Sequence, residues 1–174
     1  MLMTGQVAEK AVAMVLPAIT ASMAGDTFKR ATLHVVVGTR FRPPLEKREY
    51  RADYFPELLI RCDNGAESEE IQKYRNHAYS KAGVTWRTGL PTRVVQVMQP
   101  ELLLPGDIGY WGSWIERNII AAAAGDYPHN NEYVSRLIIA ACISLVDGAR
   151  VALEAEITAN NGYILDRRFE ENPA

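Results

Sequence analysis

Apolar residues recur every third or fourth position near the start of the chain, at Val7, Ala11, Val15, Ile19 and Met23. This spacing predicts a helix over about 5–24 with one buried stripe, and Thr4 stands where a side-chain cap is needed. Pro17 interrupts the stripe and predicts a kink, since a mid-helix proline costs about 3 kcal/mol. The pattern then changes to the β-branched, apolar run ATLHVVVGT, a buried strand over about 32–39. Residues 40–57 are polar and contain three prolines, which suit a long hairpin connection or excursion rather than a central ladder. LLIRC resumes as the partner strand. An Asp-Asn-Gly turn follows, and ESEEIQKYRNHAYSKAGVTW predicts a helix with Glu67, Glu69 and Glu70 beside its positive N-terminal end.

The second half repeats the alternation of types. GLPTRVVQVM ends the helix and starts a new segment, and PELLLPGD is a proline-bounded loop. IGYWGSWIERNIIAAAAGD predicts a hairpin, with strands near 108–115 and 118–124 around a Glu-Arg-Asn turn. NNEYVSRLIIAACISLVDGA predicts an amphipathic helix capped by Asn130 or Asn131, with Tyr133, Leu137, Ala140, Ala141, Ser144 and Leu145 on its buried side. The remainder continues this helix and ends in a polar tail over about 160–174. Consecutive strands joined as hairpins imply an α+β fold, with an antiparallel sheet of about five strands flanked by helices. The 174 residues suffice for a single domain.

Composition narrows the partners. Hydrophobic residues are 48% and charged residues 23%, with a net charge of −2. Lys and Arg occur in short groups interleaved with acids, so neither nucleic acid nor an anionic membrane is an expected partner. The apolar segment AVAMVLPAITASMAG resembles a secretory signal, but its one basic residue, Lys10, is offset by Glu9. It reads as a folded helix of a cytoplasmic chain, and no apolar run reaches bilayer-spanning length. Cys62 and Cys142 form no disulfide framework and lack metal-ligand spacing. Cys142 reads as a buried small hydrophobe. Cys62 borders an acidic turn, whose glutamates oppose the thiolate a nucleophile needs. The three histidines have no metal-ligand spacing either, so no protein-built metal site is expected. His34 alternates along a strand and is expected half-buried, whereas His129 lies in a turn and is freer to ligate.

Candidate chemistry concentrates on the central helix. Tyr74, His77, Lys81 and Thr85 fall at i, i+3 and i+4 spacings and share one face, where they can bind a carboxylate and move a proton, or form a polar surface. Gly112, Gly125 and Ala121 to Ala124 remove bulk, which admits a helix, another backbone or a ligand. The Gly125-Asp126 turn leads into a helix whose free N–H groups suit an anion. Trp86, Trp111 and Trp114 can line a flat aromatic pocket, or serve core or oligomer contacts.

Three stretches, LLIRCDNGA, SKAGVTWRTGLPTRVV and WGSWIERNIIAAAAGD continuing to NEYVSRLIIAA, resemble in order the haem-degrading family that includes the GlcG and HbpS proteins. Arg61, Asp63, Gly65 and Ala66 match that family's Arg-x-Asp-Gly-Ala strand end, with Asn64 as an extra residue. Lys81 and Ala82 match its Lys-Ala-x-Thr-Ala helix, with Thr85 following, and Pro91-Thr92-Arg93 resembles a frequent sequel. Trp111-Gly112-Ser113 departs from the family's glycine pair, and Ala124-Gly125 replaces its Ser-Gly turn. Residues 40–57 have no counterpart in its usual short hairpin.

The resemblance implies a homo-oligomeric α+β protein that binds a small molecule, with haem possible as cofactor. Either a tetrapyrrole or an acidic catabolic metabolite would fit. Its pocket would be bordered by Arg61, Asp63, Lys81, Thr85, Gly112, Ser113, Gly125 and Asp126. Arg61 or Lys81 would hold a carboxylate, a charge-assisted contact worth about 1.5–3 kcal/mol, and Asp63 would orient Arg61 or accept a proton. His77 or His129 would be the axial ligand to haem. The alternative is a catabolic isomerase or hydrolase acting on an acidic ring-cleavage product, with Asp63 and His77 as its acid and base. A structural accessory protein with no pocket chemistry is the third possibility.

Overall fold

In the computed structural model, residues 4–29, 32–40, 57–61 and 69–159 are described, the stretch 57–61 as backbone. Helix α1 spans Gly5–Ala24, and the Val7 amide donates to Thr4 Oγ1 at 3.3 Å, the expected cap. Its buried face holds Val7, Ala11, Ile19 and Met23, as the periodicity predicts, and the helix continues through Pro17. Strands β1 (Thr32–Thr39) and β2 (Glu57–Arg61) follow, then helices α2 (Glu69–Thr88) and α3 (Thr92–Met98). Strands β3 (Ser113–Glu116) and β4 (Ile119–Ala124) lead into the long helix α4 (Pro128–Ala159).

The fold is α+β. Its antiparallel sheet has four strands among the described residues, in the order β2-β1-β4-β3, rather than about five. The proline-rich stretch expected as a hairpin connection or excursion lies, from 41 to 56, outside the described residues; the strands on either side of it, β1 and β2, pair antiparallel. The β3–β4 hairpin turns at Arg117 and Asn118, both with positive φ (46° and 61°). A two-residue turn of this hand matches the twist of the strands it joins. β3 starts only at Ser113, rather than near 108, and the chain before it turns at 105–106 and bends at Gly109.

Alternation along β1 and β4 divides the core. Leu33, Val35, Val37, Ile119, Ala121 and Ala123 face α1 and α4, whereas Val36, Ile120, Ala122 and Ala124 face Ala78 and Ala82 of α2. Alanine against alanine lets α2 lie close to the sheet, which determines how deep its polar side chains sit.

Further expectations are corrected. α3 forms on TRVVQVM, where only a new segment was expected. α4 begins at Pro128, so Asn130 and Asn131 lie inside its first turn rather than capping it. Its buried face is Val134, Ser135, Ile138, Ile139, Ala141 and Cys142, while Tyr133, Ala140 and Ser144 are exposed. α1 covers part of α4 as well as the sheet, so the buried stripe is wider and rotated relative to an apolar count. By length and a mean hydropathy of 1.4, α1 could also cross a membrane, which corrects the expectation that no apolar run is long enough. In this fold its apolar stripe packs against the sheet.

Candidate functional site

The α2 stripe runs from solvent into the core. Tyr74 and His77 meet edge to face, with ring centroids 6.4 Å apart, and Tyr110 lies 6.2 Å from His77 on the other side. One turn further, Lys81 is 2% exposed, and Thr85 beyond it is fully buried. The four residues therefore share a face, as their spacing predicts.

Lys81 is an unusual core residue. Its Nζ donates to the Ala123 carbonyl at 2.8 Å, the one acceptor it has among the described residues. An ammonium carries three donors and is strongly hydrated in water. No described carboxylate pairs with it. Burial alone pushes its pKa down to about 7. His77 is also held below its usual range, first by its own burial and then by the positive charges of Lys81 and Lys73. The positive charges of Lys81 and Lys73 thus both act on His77, which lies between them on one helix face.

Gly112 makes room for this amine. A Cβ there would stand 2.6 Å from Asn131 Cβ, 2.9 Å from Lys81 Nζ and 3.0 Å from the Ala123 carbonyl, and its φ of +143° disfavours other residues. Its carbonyl accepts from the Ala123 amide at 3.1 Å and from Ser135 Oγ at 2.7 Å. The amine is thus enclosed by α2, β4, the approach to β3 and the first turn of α4.

Thr85 and Ser113 are placed differently from the ligand contacts expected of them. Ser113 Oγ lies 2.6 Å from Thr85 Oγ1, accepts from the Thr92 amide at 3.2 Å and donates to Thr92 Oγ1 at 2.8 Å. Thr92 Oγ1 also accepts from the amides of Gly112 (3.1 Å) and Ser113 (3.2 Å). These buried hydroxyls fasten α2, α3 and β3 to one another beneath Lys81. Ser113→Ala is expected to cost about 2–3 kcal/mol, because it leaves buried polar partners unpaired. Urea unfolding would measure this cost.

The Gly125-Asp126 turn is likewise engaged within the chain. A Cβ on Gly125 would fall 2.5 Å from the Thr32 carbonyl, so its open side is filled by the backbone of β1. The anion at the start of α4 is Asp126 itself. Its carboxylate accepts from the Lys29 amide (2.7 Å), the Tyr127 amide (2.7 Å) and Asn130 Nδ2 (2.6 Å). Asn131 pairs with the Asp126 backbone, donating to its carbonyl at 2.7 Å and accepting from its amide at 3.3 Å.

Other candidates separate. Trp86 packs on the α2 side of the sheet and Trp114 on the α1/α4 side, under the Arg136 guanidinium 3.6 Å from its ring centre, so the two do not line one pocket. His34 is buried rather than half-buried, and His129 is stacked on Tyr127 at 5.7 Å. Burial raises the Cys142 thiol to about 11, which makes it inert. Asp63 and Cys62 lie outside the described residues, and so does the side chain of Arg61.

Sequence reasoning did not identify Asn131, Ser135, Thr92 or Tyr110 as neighbours of the stripe. Only the family resemblance drew attention to Pro91-Thr92-Arg93. No family model matches this chain, and no curated protein is significantly similar to it.

Proposed function

We propose that this chain is a small-molecule-binding protein of the GlcG/HbpS-like kind, which takes an acidic ligand at the Lys73, His77 and Lys81 column of α2. One observation carries the reading: three basic groups on one helix face, the innermost buried, without a carboxylate partner among the described residues. A ligand carboxylate would offset those positive charges and provide the charge-assisted contact that Lys81 lacks. Tyr74 and Tyr110 flank the entrance with apolar, hydrogen-bonding rings suited to a flat or unsaturated acid. The ordered match of Lys81, Ala82 and Pro91-Thr92-Arg93 to the family pattern supports the same reading.

Binding would be coupled to a proton. An anion raises the Lys81 pKa from about 7, so above pH 7 the complex takes up a proton that the free protein lacks. Affinity is therefore expected to fall about tenfold per pH unit above 7, until the bound-state pKa is reached. Calorimetry in buffers of different ionisation enthalpy would record the proton. The binding test is titration with haemin, followed by its Soret band, alongside a thermal-shift panel of small mono- and dicarboxylic acids. Saturation by any of these, weakened at least tenfold in Lys81→Ala and His77→Ala, is the expected result. Binding indifferent to both substitutions, or no binding across the panel, would sink the proposal.

A catabolic isomerase or hydrolase is the second reading, and one observation favours it. His77 and Lys81 are both shifted toward their neutral, unprotonated forms, the state a general base needs. A bell-shaped pH–rate profile on an acidic ring-cleavage product, lost in His77→Ala, would establish it.

A further inference from the structure

We infer that Lys81 is a covalent amine, forming an imine with the carbonyl group of its ligand, so that the acid recognised on α2 is an oxo acid. The inference rests on the binding reading above, because the carboxylate is what brings the ligand to the α2 column. It adds the identity of the second functional group and the bond that is made.

The geometry separates two tasks along the helix. Lys73 is exposed and His77 half-buried, so they can meet a carboxylate at the surface. Lys81 lies one turn further in, beneath the bulk-free position of Gly112. A buried lysine that served only as a cation would be expected to face an acid, and among the described residues the charged groups around this one do not supply it. On α2 its neighbours are Lys73 and His77, both basic. β4 contributes alanines, and the approach to β3 contributes Gly112, Ser113 and the phenol of Tyr110. From α4 come the neutral Asn131 and Ser135, while Glu132 beside them is paired with Arg136 at 2.6 Å and Arg93 at 3.8 Å. Thr85, Ser113 and Thr92 hydrogen-bond among themselves below. A desolvated amine without an acid partner is the usual environment of a nucleophilic lysine. Its depressed pKa of about 7 agrees with this environment.

The step needs no oxidant or reductant. The Nζ lone pair adds to the carbonyl carbon, and the C=O π pair moves to oxygen, which takes a proton. The nitrogen then loses its proton, the C–O bond breaks and water leaves as C=N forms. His77, one turn toward solvent, is placed to pass the proton to the departing hydroxyl. Amine and carbonyl compound become imine and water.

Reductive methylation tests the inference on the whole chain. Formaldehyde is small enough to reach enclosed amines, and cyanoborohydride traps each imine as a methyl group. At pH 7 an amine of pKa about 7 is roughly half unprotonated, against less than about one part in a thousand for an ordinary lysine. Peptide mass spectrometry is expected to show Lys81 methylated at least tenfold faster than Lys10, Lys29 or Lys73 at pH 7, with the advantage lost at pH 10. Methylation of Lys81 no faster than Lys73 would overturn the inference. Pyruvate and propanal, trapped in the same way, test the acid. Lys81 is expected to take up pyruvate at least tenfold faster, and a preference for propanal would remove the oxo acid. Lys81-dependent acid binding without trapping would refute the imine alone. Trapping by propanal with no Lys81-dependent acid binding would refute the binding reading instead.

Discussion

Lys81→Met is expected to stabilise the folded chain at pH 7 by about 2–3 kcal/mol while abolishing uptake of an acidic ligand. Methionine is apolar, unbranched and close to lysine in length, so it can occupy the same channel between α2 and β4 with little repacking. It loses the hydrogen bond to Ala123, worth about 1 kcal/mol. It also removes a larger penalty. Burial lowers the Lys81 pKa from 10.5 to about 7, which corresponds at neutral pH to roughly 4 kcal/mol of unfavourable desolvation. Between pH 7 and 10.5 the unfolded chain holds a proton on this amine that the folded chain does not. The slope is therefore positive: wild-type stability from this group rises as pH increases through that window, by up to about 1.4 kcal/mol per unit. The Lys81→Met variant lacks that rise, so its advantage shrinks toward pH 10. Urea unfolding at pH 7, 8 and 9 would show both effects. A variant less stable than wild type at pH 7 would identify Lys81 as a structural anchor of β4 and remove the main support for a site.

Gly125→Ala is expected to destabilise the fold by about 3 kcal/mol or more, a large effect for one added methyl group. The added carbon would stand 2.5 Å from the Thr32 carbonyl and 3.2 Å from Leu33 Cα, both backbone atoms of β1 held in register by β4. A flexible side chain could rotate away from such a contact, but a central strand cannot. The φ of +132° adds backbone strain for any residue with a Cβ. Loss of folded protein by circular dichroism, or a large fall in the unfolding midpoint, would record the effect. A midpoint within error of wild type would mean that the β1–β4 approach is looser than these distances require.

The two substitutions differ in direction because the polar and bulk-free positions do different work. Gly125 was expected on sequence grounds to open a ligand pocket, yet its vacant side is occupied by β1. Gly112, just before the first strand of the same hairpin, is the glycine that accommodates the Lys81 amine. Nothing local distinguishes them. Both follow or precede a strand, and only the strand pairing shows which neighbour fills each space. The same holds for Asp126, expected at a ligand site and found to accept from the Lys29 and Tyr127 amides of its own chain. It holds also for Ser113 and Thr85, whose hydroxyls serve each other.

Periodicity carried the elements well where one partner dominates. The i, i+4 stripe of α1 faces a single core, and Val7, Ala11, Ile19 and Met23 are buried as the spacing requires. The α2 stripe of Tyr74, His77, Lys81 and Thr85 was legible for the same reason, since helical geometry alone places those residues in line. α4 was less legible. It meets both the sheet and α1, so its buried face includes Asn131, Glu132 and Ser135, which an apolar count assigns to solvent.

What the sequence alone determined about this protein is therefore local: the three long helices, the α+β class, a hairpin turn within Glu-Arg-Asn and the alignment of basic and hydroxyl groups along α2. The tertiary structure decided the strand order β2-β1-β4-β3, the depth of each polar group, and which glycine shelters Lys81. Local geometry follows from backbone sterics and side-chain period, which neighbouring residues encode. Depth and pairing depend on segments distant in the chain, here the alanines of β4 and the first turn of α4, whose approach removes water from an amine and so changes its chemistry.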